Sequence, residues 1–516
     1  MKEIHTTVLL ERLAAGWTSS HAGLAQELVQ RWAAPLCTEA EIIEVGENTA
    51  EFVITLTDIR LRTMHEVPCL LVGGDSDLSQ PLREFWSKFN STHHLPFVLT
   101  LSKTAHDAAV RILRSGRCLL LSSEQVKRML HAEFALVELK QILIRQIPKR
   151  TLIPYNLLVP AEGGMFFGRE NELSRLSDED STSFAIAGPG RIGKTSLALR
   201  HKHEMLRSRR VGATRIILAN LYNVEHLPDR VARFVAMSIE NSRRSDRMTT
   251  GDLVNFLQYQ KKKCGGPFEL LLDEVDEDCE GQAFKALGEA ARSGLCRLVL
   301  CGKGALLKTM LSSRSPLDCR LDLIQLEHLD EDSARALLIK PLTDLGFKLE
   351  DEDRIAEEVL DLTGNMPNLI QLFGMKLVDR AIVNKDDKIL PDHLEAVKKD
   401  FFVAQFFIKS LNELTDPETR LVALALLSEN HQSFTVPAVQ AIARREGLSI
   451  DLARTNEICI DLLINNVVVW DNGSYTIASA GLPFYARKKD YLKTALEEAR
   501  ATKPQPWPLG LQARVG

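Results

Sequence analysis

An α/β fold built on parallel sheets is what the sequence predicts, and three observations carry it. An apolar run at 183–187 feeds a glycine-rich turn and then a helix-prone stretch. A second apolar run, Phe268-Glu-Leu-Leu-Leu-Asp273-Glu274, ends in two acids. Through residues 1–150, β-branched apolar runs alternate with helical patterns, the alternation that accompanies a mostly parallel sheet.

The glycine-rich turn is Gly188-Pro189-Gly190-Arg191-Ile192-Gly193-Lys194-Thr195-Ser196. It fits G-x-x-x-x-G-K-[ST], the phosphate-binding loop. Its glycines let successive backbone N–H groups curl around a β-phosphate, and the helix that follows points its positive end at the same anion. In that arrangement Lys194 reaches the β- and γ-phosphates and the Thr195 hydroxyl ligates Mg²⁺, so ATP and Mg²⁺ are the expected cofactors. A Gly-Pro turn joining strand to helix is the bland alternative. The acid-ended run weighs against it, because an acid at the C-terminal edge of a buried parallel strand lies beside such a loop. There Asp273 would hold Mg²⁺ directly or through water, and Glu274 would polarise the attacking water. Lys194 and Glu274 are thus the expected catalytic pair; alone, the two acids read as readily as a surface Asp-Glu closing a core strand.

Composition bounds the rest. The 516 residues fit about two to four domains at roughly 100–200 residues each. Net charge is −5, from 64 basic against 69 acidic residues, which leaves no global field favouring nucleic acid or anionic membrane. Nine scattered cysteines without a C-x-x-C pair suit reduced thiols better than disulfides or a zinc site. The N-terminus shows no signal-peptide pattern and no run of 18 apolar residues occurs, so a cytoplasmic chain without a membrane span is expected.

In order, residues 1–150 form a separate α/β domain with a helical stretch at Val8–Arg31. Strands follow at Glu51–Leu56, Val67–Gly73, Pro96–Leu101 and Cys118–Ser122, and helices at Leu82–Phe89, Ala105–Arg114 and Ser123–Leu130. No motif decides whether this domain is an effector or a sensor. Asp58, Arg60, Asp75 and Asp77 could be grouped as a nuclease-like cluster, but the lysine such a site needs at short spacing is missing, and solvated loop charges are the better reading. His93-His94 reads as an exposed pair in a polar loop. A helix at Glu133–Gln146 then leads to a linker, 151–164, in a stretch with three prolines and two glycines.

The next residues, Met165-Phe-Phe167-Gly168-Arg169-Glu-Asn-Glu-Leu173, resemble the F-x-GR-x-x-E-L box of AAA+-related signalling ATPases. These are the STAND group, signal-transduction ATPases with numerous domains, and their prokaryotic relatives. The resemblance implies a P-loop ATPase core at 165–325 in which Phe167, Gly168 and Arg169 border the adenine. The core would add a strand at Thr214–Ala219 and helices at Val231–Glu240 and Asp252–Tyr259. The run Arg297–Gly304 looks like the family's sensor strand, with Lys303 where many relatives carry Arg, Ser or Thr near the γ-phosphate. A helical lid, 326–405, contains an acid-capped helix at Leu329–Leu338 and another at Asp353–Leu362. It also contains Thr363-Gly364-Asn365-Met366-Pro367-Asn368, similar to the G-G-x-P-x-x-x-Q element whose proline sits against the nucleotide. Asn365 replaces the second glycine; physically, Gly364 ends one helix and Pro367 starts the next.

Three helical patterns at Leu414–Ser428, Val436–Arg445 and Leu452–Leu463 precede two β-rich runs around Asp471-Asn-Gly473, a hairpin signal. Three helices and a wing predict a winged helix at 406–495. Helix Asp451–Leu463 offers only Arg454 against Asp451, Glu457 and Asp461, which favours protein contact over DNA reading. The proline-rich tail, 496–516, is expected to be disordered.

The resemblance implies an ATP-binding, slowly hydrolysing switch that couples nucleotide state to the N-terminal domain and self-associates on activation. Its protein partner would dock on the winged helix or the N-terminal domain, and no membrane is involved. Prokaryotic members often serve signalling or defence against foreign DNA and phage. Two alternatives stand beside it: an ATP-regulated transcription factor acting through the winged helix, and a nuclease in residues 1–150 gated by the ATPase.

Overall fold

The computed structural model describes residues 2–18, 22–36, 39–56, 66–74, 78–89, 95–113, 117–131, 135–177, 183–207, 216–221, 228–240, 245–264, 268–276, 281–311, 317, 321–429, 433–471, 473–487 and 491–502. Two compact units emerge. The first comprises Met1–Phe167, Ala336–Glu352 and Gln371–Glu395; the second comprises Gly168–Arg335, Asp353–Ile370 and Ala396–Gly516.

In the first unit, β1 (Glu39–Val45), β2 (Thr49–Thr55), β3 (Glu66–Val72), β4 (Phe97–Thr100) and β5 (Leu119–Leu121) lie in that order across one sheet. β1, β2 and β3 pair antiparallel, whereas β3, β4 and β5 pair parallel. The sheet is therefore mixed, correcting the expectation of a mostly parallel one. The cause is local. β1 and β2 are joined by a tight turn in which Asn48 adopts a φ of 57°, so no helix reverses the chain between them. Helices intervene only later, at Ser79–Phe89 and Lys103–Ile112, and there the strands run parallel. The helical stretch at Val8–Arg31 is likewise two helices, Lys2–Ala14 and Ala22–Ala33, separated where Gly16 takes a φ of 107°. β2 buries alternate residues, and its Phe52 meets Trp32 edge-on at 6.3 Å. Asp58, Arg60, Asp75, Asp77, His93 and His94 lie outside the described residues.

Residues 151–164 pack more closely than a linker requires. Leu152, Ile153 and Tyr155 are buried. The Tyr155 hydroxyl donates to the Leu338 carbonyl at 2.6 Å, and the Asn156 N–H donates to Gln371 Oε1 at 3.2 Å. Gly374 leaves room for the phenol ring, since a Cβ there would fall 2.4 Å from it. Upstream, Lys140 pairs with Asp344 at 3.4 Å. The segment is a strap held against the parts of helices Glu331–Asp344 and Pro367–Asn384 that belong to its own unit.

The second unit is built on β6 (Ser183–Ala187), β7 (Ile216–Asn220), β8 (Phe268–Asp273), β9 (Cys296–Gly302) and β10 (Leu321–Gln325). All pair parallel, in the order β10-β6-β9-β8-β7. Every residue of β6 and β8 is buried, as continuous apolar runs in the middle of a covered parallel sheet should be. Leu270, Leu272, Leu298 and Leu300 pack with Phe256 and Phe284 of the covering helices, and each such side chain contributes about 1.5–3 kcal/mol by leaving water. Below the sheet's carboxyl edge, buried Glu269 of β8 bonds His201 at 2.7 Å and pairs with Arg297 of β9 at 3.3 Å, so each charge has a partner.

The same unit holds the helices Glu352–Thr363 in large part, Phe401–Asn412, and a C-terminal module. That module runs helix Pro417–Glu429, strand Ser433–Phe434, helices Val436–Arg445 and Leu452–Ile464, and strands Val468–Asp471 and Ser474–Ile477. The last strand pairs antiparallel with both others, and its Tyr475 stacks on Phe434 and meets Trp470 edge-on. Residues 496–502, expected in a disordered tail, instead complete the helix Tyr491–Thr502. Leu492, Ala495, Leu496 and Ala499 recur at helical spacing and are buried.

Candidate nucleotide site

Strand register brings the site together before any side chain acts. Ala187 is level with Gly302, and Asp273 with Cys301. The glycine loop, the acid pair and Lys303 therefore leave the sheet side by side at its carboxyl edge, where α/β sheets hold ligands.

The loop has the backbone that its motif demands. Gly193 takes a φ of 107° with open space around a notional Cβ, and Arg191 takes a φ of 62°. A Cβ on Gly188 would fall 2.7 Å from the Leu326 carbonyl, so that glycine lets the loop start flush against β10's end. Ile192 is buried and pins the loop, while Lys194 and Ser196 open the helix Lys194–Arg207 with little exposure. Lys194 folds back on its own loop, donating to the carbonyls of Gly188 at 3.0 Å and Pro189 at 2.8 Å. Burial pushes its pKa below the ordinary lysine value, opposed by the nearby Asp276 and Glu274 charges. An arriving phosphate would supply the counter-charge this ammonium lacks.

The Thr195 hydroxyl donates to Asp273 Oδ2 at 2.7 Å, and Asn220 Nδ2 reaches the same oxygen at 3.5 Å. Asp273 Oδ1 accepts the Glu274 N–H at 3.0 Å. Burial raises the Asp273 pKa, and the Thr195 hydrogen bond opposes that shift. Two protein oxygens converging at one point suit Mg²⁺, which takes one or two protein oxygens and fills its octahedron with phosphate and water. Among the described residues no cluster of three or more His, Cys, Asp or Glu forms a metal site. Glu274 sits at a φ of 58°, a left-handed conformation uncommon for a non-glycine residue, with its carboxylate 3.6 Å from Lys303 Nζ.

Gly168 and Arg169 of the box belong to the second unit and pack at the start of helix Glu331–Asp344. A Cβ on Gly168, at a φ of 66°, would fall 2.8 Å from Ser333 Oγ. Arg169 bonds Glu172 at 3.1 Å and the Glu327 carbonyl. Phe167 is half-buried at the end of the first unit.

A cavity of about 530 Å³ opens beside the loop, lined by Gly190, Glu274, Lys303, Met366, Phe406 and Asn466 among others. Pro367 starts the helix Pro367–Asn384; its neighbours Met366, Asn368 and Leu369 line the cavity. Arg191 places its guanidinium 5.4 Å from the Phe406 ring. Asn466, at a φ of 56°, reaches the Gly190 carbonyl at 3.4 Å, and its amide oxygen lies 3.1 Å from His328 Nε2. His328 Nδ1 donates to the Gly364 carbonyl. These two bonds favour the protonated ring, but burial outweighs them and lowers the His328 pKa.

Sequence reasoning missed Asn220, Asp276, His328 and Asn466. Asp276 carries a signal in hindsight, as a third acid after Asp273-Glu274: it accepts the Lys303 N–H at 2.5 Å and so fixes the tip of β9. Asn220 ends its strand as Asp273 ends β8. His328 and Asn466 carry none, because only tertiary packing brings them to the loop.

No protein-family model matches the chain, and no curated protein matches it. Among solved structures it is similar to the Walker-type ATPase of Pyrococcus abyssi, at 16% identity over 64% of this chain and 99% of that one, with a TM-score of 0.49. It is also similar to the Aeropyrum pernix ORC1 protein in complex with DNA, at 16% identity over 66% and 95%, TM-score 0.38. A third is the RuvB Holliday junction branch migration motor of Thermotoga maritima, at 17% identity over 62% and 96%, TM-score 0.35. The strand order and the loop geometry make the second unit's core an AAA+-like P-loop fold. No described helix is long and apolar enough to cross a membrane.

Proposed function

We propose that the chain is an ATP-binding, slowly hydrolysing switch of the STAND type, coupling nucleotide state to its N-terminal α/β domain. The observation that carries this reading is that Thr195 meets Asp273 beside the loop while Gly190 and Glu274 line a cavity that Met366 of the lid junction and Asn466 of the C-terminal module also line. A ligand there touches the parts that would have to move.

Lys194 leaves the Gly188 and Pro189 carbonyls for the β- and γ-phosphates, while Gly190, Arg191 and Gly193 give the loop room for them. Thr195 and Asp273 would hold Mg²⁺, which would supply charge neutralisation at the phosphates. Glu274 takes a proton from the attacking water, and Ser196 backs the loop. Gly168, Arg169 and Phe167 form the adenine side, and Pro367 reports occupancy to the lid.

The order of the C-terminal module, helix, short strand, two helices and a two-stranded ribbon, supports a winged helix at 406–495. We read it as a protein contact. Its Arg454 is engaged by Asp416 at 2.7 Å, Glu418 at 2.8 Å and Glu457 at 3.0 Å, leaving little positive charge for a phosphate backbone. The DNA in the ORC1 structure belongs to that protein. Self-association on activation and a role in prokaryotic signalling or defence complete the reading, and rest on the motif resemblance alone.

The experiment is direct. Lys194→Ala abolishes tight ATP binding in calorimetry; a variant that bound ATP as the parent does would remove the site assignment.

A further inference from the structure

Lys303 faces two ways. Its N–H is anchored by Asp276 at 2.5 Å, which holds the tip of β9 in place whatever the side chain does. The side chain crosses to Glu274, with Nζ 3.6 Å from Oε2, and passes Gly190, whose notional Cβ would lie 3.9 Å from Lys303 Cε. The ammonium thus sits between the carboxylate expected to activate water and the loop expected to hold phosphate. Lys194, meanwhile, is turned back on the loop carbonyls. Both lysines beside the loop have protein partners.

We propose that Lys303 is an exchangeable clamp on Glu274, which releases the carboxylate only when a γ-phosphate takes the ammonium. The inference rests on the nucleotide reading above and adds the device that makes hydrolysis conditional on a triphosphate. Both side chains are partly exposed, at 45% for Lys303 and 30% for Glu274. A pair so open to water is weak and breaks readily when a doubly charged oxyanion arrives. A diphosphate has no γ-phosphate to offer the Lys303 ammonium, so on this proposal the pair persists and Glu274 stays occupied. With a triphosphate, Lys303 moves to a γ-phosphate oxygen, and Glu274 keeps an open lone pair for the proton of the attacking water. In the step itself the water oxygen bonds to the γ-phosphorus as the bond to the bridging oxygen breaks, ADP leaves with that electron pair, and Glu274 takes the water's proton. Asp276 is the fixed pivot, since it binds the backbone and not the ammonium.

The test follows the ammonium itself in the full chain. Lysines are reductively methylated with ¹³C, which keeps their charge, and the Lys303 resonance is assigned by its loss in Lys303→Arg. Glu274→Gln is expected to shift this resonance in the nucleotide-free and ADP-bound chain, and to leave it in place with a slowly hydrolysed ATP analogue. Calorimetry supplies the second arm: Lys303→Met lowers the ratio of ATP to ADP affinity about tenfold or more, and Lys303→Arg restores it. A resonance indifferent to Glu274→Gln without nucleotide overturns the clamp, as does one that still responds with the analogue bound. A Lys303→Met chain weakened equally for both nucleotides also overturns it, because that is what mere structural damage would do. If the parent bound no ATP at all, the nucleotide reading itself would fall, a result separable from ATP bound with the clamp unmoved.

Discussion

Asp273 and Glu274 are neighbours in sequence, and the backbone points them apart. Asp273 ends β8 in buried strand geometry and points at Thr195, whereas Glu274 turns left-handed and swings its carboxylate to the cavity. Glu274→Gln should therefore keep ATP bound while slowing hydrolysis by about a hundredfold or more, the scale for losing a general base; phosphate release at the parental rate would place water activation on another residue. A second residue-scale expectation comes from His328. Burial lowers its pKa in the folded chain, so between the folded and ordinary imidazole values the unfolded chain binds the proton more readily. Stability from this group is full above about pH 6.5 and is lost as pH falls through the folded value. Thermal melts from pH 8 downward should show a decline that is shallower in His328→Asn; parallel curves would count against it. The loop and the two acids were legible as candidates from local spacing, and Lys303 only through the family resemblance. His328 and Asn466 were not, since each meets the loop only through packing across long sequence separations.

At the scale of elements, the junction at 363–367 explains the departure from the G-G-x-P-x-x-x-Q element that it resembles. Gly364 and Asn365 take φ values of 57° and 60°, and asparagine tolerates that conformation better than most residues, so it serves where the box has its second glycine. Gly364 cannot be replaced in the same way: a Cβ there would fall 1.8 Å from the Ala478 carbonyl, in the C-terminal module. Gly364→Ala should cost about 1–3 kcal/mol through strain at this position, read as a lower denaturant midpoint; an unchanged midpoint would mean that the contact is not maintained in solution. Element types were legible wherever apolar runs were continuous or strictly periodic, as in β6, β8 and most of the helices. The antiparallel pairing of β1 with β2 was hidden because β1 is rich in glutamate and largely exposed where described. The closing helix Tyr491–Thr502 was hidden by the proline-rich residues beyond it.

For the whole molecule, a switch needs two states that its ligand tells apart. The cavity's lining makes the Thr363–Leu372 segment the place to look, and coupling of about 1–3 kcal/mol is the scale to expect. Hydrogen exchange there should slow when a slowly hydrolysed ATP analogue binds; identical protection with and without it would leave a nucleotide site without a lid response. Within the first unit, Tyr155 is hydrogen-bonded to Leu338 and fitted against Gly374.

The same strap sets an order of events during synthesis. The first unit borrows Ala336–Glu352 and Gln371–Glu395 from far downstream, so Met1–Phe167 cannot complete it when they leave the ribosome. At about 5–20 residues per second, the missing helices follow after a delay on the order of ten to fifty seconds. Through that interval Tyr155 lacks both Leu338 and Gly374, and the first unit waits, unfinished, while Gly168–Arg335 is made between its own segments.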